Sequence, residues 1–116
     1  MTEDIKELAL AAAEIAGDKK AQDIQVLEVK ELTIIADYFV ICSGKSEVQT
    51  KAIAREIEAE LDKEGIQPQK VAGNDNGRWI LIDYADVIVH VFHQQEREYY
   101  ELERLWADAE KILKDS

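Results

Sequence analysis

Apolar residues recur at three- and four-residue steps between positions 4 and 16, through Ile5, Leu8, Ala9, Ala12, Ile15 and Ala16, with acids in the first turn and Gly17 just beyond. That spacing predicts an amphipathic helix. From Asp23 to Val29 alternation mixes with β-branched residues, and Tyr38-Phe39-Val40-Ile41-Cys42 is a short continuous apolar run. Both predict strands, the second the more fully buried. Ser46 stands three residues before Gln49, a capping-box pairing, and Ile53, Ile57 and Leu61 follow on one helical stripe until Gly65 and Pro68 stop it. Gln69-Lys70-Val71 predicts a short strand, followed by the turn-forming run Gly73-Asn74-Asp75-Asn76-Gly77. Trp79 to Asp83 and Val87 to Phe92 carry the strongest strand pattern, and the short Tyr84-Ala85-Asp86 connection between them predicts antiparallel pairing. Helical spacing then returns through Tyr99, Leu102, Leu105, Trp106, Ala109 and Ile112. The predicted order is α-β-β-α-β-β-β-α, an α+β protein with helices packed on a mixed five-stranded sheet. At 116 residues, with no internal repeat or linker, the chain is expected to form a single domain over 1–116.

Composition narrows the function classes. With 47% hydrophobic and 34% charged residues the chain has the balance of a folded protein, not of a disordered segment. It holds no run of roughly twenty apolar residues, and Met1-Thr2-Glu3-Asp4 lacks the basic start of a targeting peptide, so a cytoplasmic, membrane-free location is expected. Twenty-five acids against fourteen bases give a net charge of −11, which repels phosphate backbones and favours a basic protein partner, although an acidic surface also serves solubility alone. The single cysteine, Cys42, leaves no internal disulfide and no cysteine-based zinc site.

Candidate chemistry is sparse. Gly44-Lys45-Ser46 matches the end of a phosphate-binding loop, but Phe39 stands where the leading glycine is needed, and helix capping accounts for Ser46. A glycine and serine between strand and helix also occur in nucleotidyltransferases, which hold magnesium with carboxylates on a neighbouring strand, and Asp83 and Asp86 are the candidates here. Three-residue spacing along a strand would point the two acids to opposite faces, so they are expected to stabilise the turn instead. His90 is expected to be a packed mid-strand histidine, His93 to end its strand, and Cys42 to be an inert packed thiol. We therefore expect no catalytic residues, no cofactor and no metal.

Aromatic residues remain. Trp79, Leu81 and Asp83 share one face of their strand, opposite Ile80 and Ile82. An apolar face bearing Trp79 and Leu81, ringed by Asp83, Tyr84 and Asp86, would suit an apolar contact with a basic rim, and a core position for Trp79 is the equal alternative. Tyr99, Tyr100 and Trp106, at helical spacing, are expected in the core.

The run Asp86-Val-Ile-Val-His-Val-Phe92, followed by Arg97-Glu-Tyr-Tyr-Glu-Leu-Glu-Arg-Leu-Trp106, resembles the signature of the Iojap or ribosomal silencing factor family. Asp37-Tyr-Phe-Val-Ile-Cys-Ser-Gly44, Ala52-Ile53-Ala54 and Trp79-Ile-Leu-Ile-Asp-Tyr84 are similar as well, so the resemblance extends from about residue 4 to 110. It implies a nucleotidyltransferase-like fold without known transferase activity. It further implies binding to the fourteenth protein of the large ribosomal subunit, a basic protein, and steric blocking of small-subunit joining. The alternatives are a metal-dependent nucleotidyltransferase or nuclease-like enzyme using Asp83, Asp86 and His90, which the fold resemblance alone suggests, and a role in large-subunit assembly through the same surface; self-association away from the ribosome is expected. Carried over, the partner-binding residues are Trp79, Leu81, Asp83, Tyr84 and Asp86, with Trp79 as anchor. Two residues depart from the family pattern: Ala72 replaces an acid and Ala85 a usual glycine.

Overall fold

The structure is a computed structural model that describes the backbone of residues 2–115 and the side chains of 5–113. Helix α1 (Thr2–Asp18) leads into β1 (Gln22–Glu28) and β2 (Tyr38–Gly44), then α2 (Glu47–Lys63) and β3 (Lys70–Ala72). Strands β4 (Trp79–Asp83) and β5 (Val87–His93) precede the short helices α3 (Gln94–Tyr100) and α4 (Leu102–Leu105) and a last strand, β6 (Glu110–Asp115). The strands form one mixed sheet in the order β3-β4-β5-β2-β1-β6. Among the described residues β2 and β5 alone run parallel; the other neighbours are antiparallel.

The α+β class expected from the pattern holds, but the sheet has six strands rather than five. Residues 99–112 do not form one helix. Glu101 takes a left-handed conformation, φ 47° and ψ 49°, which ends α3 after Tyr100. Beyond Ala109 the chain pairs with the open edge of β1, Val26 opposite Leu113 and Glu28 opposite Glu110. Unpaired strand-edge N–H and C=O groups are satisfied this way, which outweighs the local helical spacing.

Each side of the sheet has its own apolar cluster. On one side Ala9, Ala12, Ala13 and Ala16 let α1 lie close, and Ile53, Ile57 and Leu61 bring α2 down on Val40, Cys42, Ile80, Ile82, Val89 and Val91. Full burial of each large aliphatic side chain contributes about 1.5–3 kcal/mol. Helix α2 starts as its sequence directs, with Ser46 Oγ accepting from Gln49 N–H at 3.1 Å, while Gln49 Oε1 accepts from Lys45 N–H at 2.7 Å. On the other side Leu27, Val29, Phe39, Ile41, Ile88 and Phe92 are covered in part by Leu102 and Ala109, with Trp79, Leu81 and Trp106 at its margin.

Candidate docking surface

Strand β4 alternates as its sequence requires. Ile80 and Ile82 are fully buried beneath the helices, whereas Trp79, Leu81 and Asp83 are half-buried on the opposite face. The Trp79 ring stacks on Phe92 at 4.8 Å and lies 5.0 Å from Tyr100. Its indole N–H donates to His90 Nδ1 at 3.2 Å. His90 is itself only 5% exposed, edge-on to Phe39 at 5.0 Å. Burial disfavours the imidazolium and pushes the His90 pKa down to about 4, so the ring is neutral at pH 7. Because Nδ1 accepts, the proton sits on Nε2, which is buried without a partner among the described residues. A histidine in this position therefore costs stability and fixes the direction of the indole.

The start of β4 is tied down from several sides. Gly73 has φ +79°, and a Cβ there would lie 2.0 Å from the Trp79 carbonyl oxygen, so the preceding loop can pack against Trp79 only as glycine. Thr50 Oγ donates to Gly77 O at 2.6 Å. Arg78 reaches Glu96 at 2.7 Å and Glu47 at 3.3 Å, joining β4 to α3 and α2. The Trp79 side chain thus projects from a braced backbone.

At the far end of β4 the chain turns through Ala85 and Asp86. Tyr84 N–H donates to Val87 O at 2.9 Å, and Ala85 N–H to Asp83 Oδ1 at 2.7 Å. Ala85 has φ +71°, a conformation glycine adopts freely and alanine does not. Ala85 nonetheless keeps the turn in this conformation, held by these bonds. Asp86 is exposed, and its carbonyl accepts from Asp37 N–H at 2.8 Å and Tyr38 N–H at 3.1 Å.

Tyr84 departs from the expected site. It is 7% exposed and continues the Ile80–Ile82 side, with its hydroxyl buried and without a partner among the described residues. Burial together with Glu58 and Asp62 pushes its pKa up to about 12. Strand alternation extends one residue past Asp83, so Tyr84 supports the turn from beneath and does not join Trp79, Leu81, Asp83 and Asp86 at the surface. The expected burial of Tyr99 and Tyr100 is also overturned: both are exposed, because α3 turns Arg97 inward and leaves the two tyrosines on its other faces. Trp106 is half-buried, edge-on to Phe39 at 5.1 Å.

Two residues carry roles the sequence pattern did not single out. Arg97 is buried, its Nε donating to Glu103 at 2.8 Å and its guanidinium reaching Gln22 O at 3.4 Å and Ser43 Oγ at 3.3 Å, which fastens α3 across β1 and β2. His93 caps α3, Nδ1 accepting from Gln95 N–H at 3.2 Å. Cys42 is fully buried and its thiol pKa is raised to about 12, which makes it unreactive at neutral pH. No helix among the described residues is long and apolar enough to cross a membrane.

A mixed sheet covered by helices on one side, with a braced half-exposed tryptophan on the other, defines an α+β protein whose chemistry-bearing surface is aromatic and acidic. Comparison with known proteins assigns it more closely. Residues 2–116 match the family model described as ribosomal silencing factor during starvation. The chain is 50% identical over 104 residues to the ribosomal silencing factor of Bacillus subtilis, covering 90% of this chain and 88% of that one. It is 36% identical over 106 residues to the chloroplastic Iojap protein of Zea mays, covering 90% of this chain and 45% of that protein. A crystal structure from Chromobacterium violaceum superimposes with a TM-score of 0.82 at 34% identity, covering 92% of this chain and 87% of that chain. A second, from Bacillus halodurans, gives 0.76 at 42% identity over 90% of this chain and 94% of that chain. The chain belongs to the ribosomal silencing factor family, and a role in silencing ribosomes comes with that membership.

Proposed function

We propose that this chain acts in the cytoplasm as one silencing-factor domain that docks on the large ribosomal subunit through its fourteenth protein, and that its bulk then excludes the small subunit. The observation that carries this reading is the Trp79 ring, half-exposed yet fixed by His90 and stacked on Phe92. Rigid aromatic side chains of this kind contribute much of the energy of protein interfaces, since little conformational freedom is lost on binding. Leu81 extends the apolar contact, and Asp83 and Asp86 answer basic residues on the partner. Tyr84 acts through the turn and does not touch the partner. A net charge of −11 supports a basic protein as the docking point and little direct contact with ribosomal RNA. Occlusion needs no bond made or broken, so the reading requires no catalytic group, cofactor or metal.

The test is binding to purified large subunits, followed by a subunit-joining assay on a sucrose gradient, with wild type and Trp79→Ala compared. Wild type should bind and suppress joining. Trp79→Ala, folded by circular dichroism, should bind at least about thirtyfold more weakly, the equivalent of about 2 kcal/mol for an anchoring residue. Binding by the folded variant at wild-type strength would remove Trp79 as the anchor. Wild type that fails to bind large subunits would remove the docking reading altogether.

A further inference from the structure

The connection between β1 and β2 exposes more apolar surface than any need of the fold explains. Leu32, Ile34 and Ile35 are 46%, 104% and 63% exposed. Contiguous exposed apolar side chains on an acidic protein ordinarily mark a contact. The connection is also tightly tied. Asp37 O accepts from Val29 N–H at 2.8 Å, Val29 O accepts from Leu32 N–H at 2.9 Å and Thr33 N–H at 3.1 Å, and Thr33 Oγ accepts from Ile35 N–H at 3.1 Å. Its apolar tip is therefore presented in a set shape, which lowers the entropy lost on docking.

Its position relates it to the surface already described. Because β2 and β5 are parallel, the connection entering β2 and the turn entering β5 lie at the same end of the sheet. They are joined directly, Asp86 O accepting from Asp37 N–H at 2.8 Å and from Tyr38 N–H at 3.1 Å. We propose that Leu32, Ile34 and Ile35 form an apolar knob that seats in an apolar, basic-rimmed depression on the same basic large-subunit protein that Trp79 and Asp86 meet. This rests on the docking reading above and extends it by a second apolar contact.

Reach and charge both favour that occupant. A standard interface covers about 800 Å² per partner, a patch of about 16 Å radius. Ile34 is three residues from Asp37, at most about 11 Å of chain, so a partner covering Asp86 and its surroundings also meets the knob. Glu31 and Asp37 flank it in the chain, Asp86 is bonded to it through Asp37, and Lys30, two residues before Leu32, is paired with Glu28 at 3.2 Å. A second copy of this chain would bring another −11 against that rim, and a nucleic acid would be repelled likewise.

The test is the double variant Ile34→Ser with Ile35→Ser, measured for binding to purified large subunits beside wild type and Trp79→Ala. Both side chains are exposed, so the thermal midpoint of the variant should match wild type. Its affinity for large subunits should fall about tenfold or more. Wild-type binding by the double variant, with binding still lost in Trp79→Ala, would overturn the knob and leave the docking reading standing. If wild type itself fails to bind, both fall together. If sedimentation instead shows a dimer of free wild type that the double variant abolishes while large-subunit binding is unchanged, the occupant is a second copy and the proposal is wrong.

Discussion

His90 makes the protein sensitive to mild acid in a way that isolates the support beneath Trp79. Folding buries the imidazole among Trp79, Phe39 and Phe92 and pushes its pKa from 6.5 down to about 4. Between these values the unfolded chain binds more protons than the folded one, so stability rises with pH and is lost as pH falls. Over the full window the loss amounts to about 3 kcal/mol, of which about 2 kcal/mol falls between pH 7 and pH 5. Two carboxylates are shifted in opposite directions: Glu58 is raised by burial, and Glu28 is lowered by the hydrogen bond it accepts from Lys30. Urea unfolding of wild type and His90→Phe at pH 7, 6 and 5 cancels what they share. Wild type should lose about 2 kcal/mol more than the variant between pH 7 and pH 5. Phenylalanine also removes the unpartnered Nε2 donor, so the variant should be no less stable than wild type at pH 5, while its Trp79 indole loses its acceptor. Equal losses in both proteins would refute the claim that His90 is buried neutral.

Two further substitutions probe the supports of the site. Ala85→Gly removes a left-handed alanine from the turn, and should raise stability by about 1 kcal/mol and the thermal midpoint by about 4 °C, read by scanning calorimetry. An unchanged or lower midpoint would mean that the turn does not hold the positive φ. Glu103→Ala leaves the buried Arg97 charge with only neutral acceptors, Gln22 O and Ser43 Oγ, and should cost roughly 2 kcal/mol in urea unfolding, less than a fully buried pair because Glu103 is partly exposed. The partner substitution Arg97→Met should cost less, since it removes the charge along with its need for a partner, and the reverse ranking would refute this account.

What could be read from the sequence followed from how local each signal was. Alternation across Trp79–Asp83, the continuous run of Tyr38–Cys42 and the Ser46 cap of α2 are decided within a few residues, and each appears where the pattern put it. Strand β6 was not legible, because its state is decided by the open edge of β1 some eighty residues earlier in the chain, and Glu101 gives no glycine to announce the left-handed break before it. Tyr84 could have been placed by carrying the parity of Ile80 and Ile82 one step further. The Trp79–His90 contact was within reach too. Once the turn centres on Ala85 and Asp86, Tyr84 faces Val87, and counting outward sets Asp83 opposite Ile88, Leu81 opposite His90 and Trp79 opposite Phe92. Trp79, Leu81, His90 and Phe92 then share one face, with His90 diagonal to Trp79 and within reach of a long aromatic side chain. What counting cannot supply is the direction of the indole. That depends on a histidine kept neutral by burial, and the burial of His90 depends on Phe39 from β2 as well as on its own hairpin, so the anchor's orientation is a property of the assembled sheet.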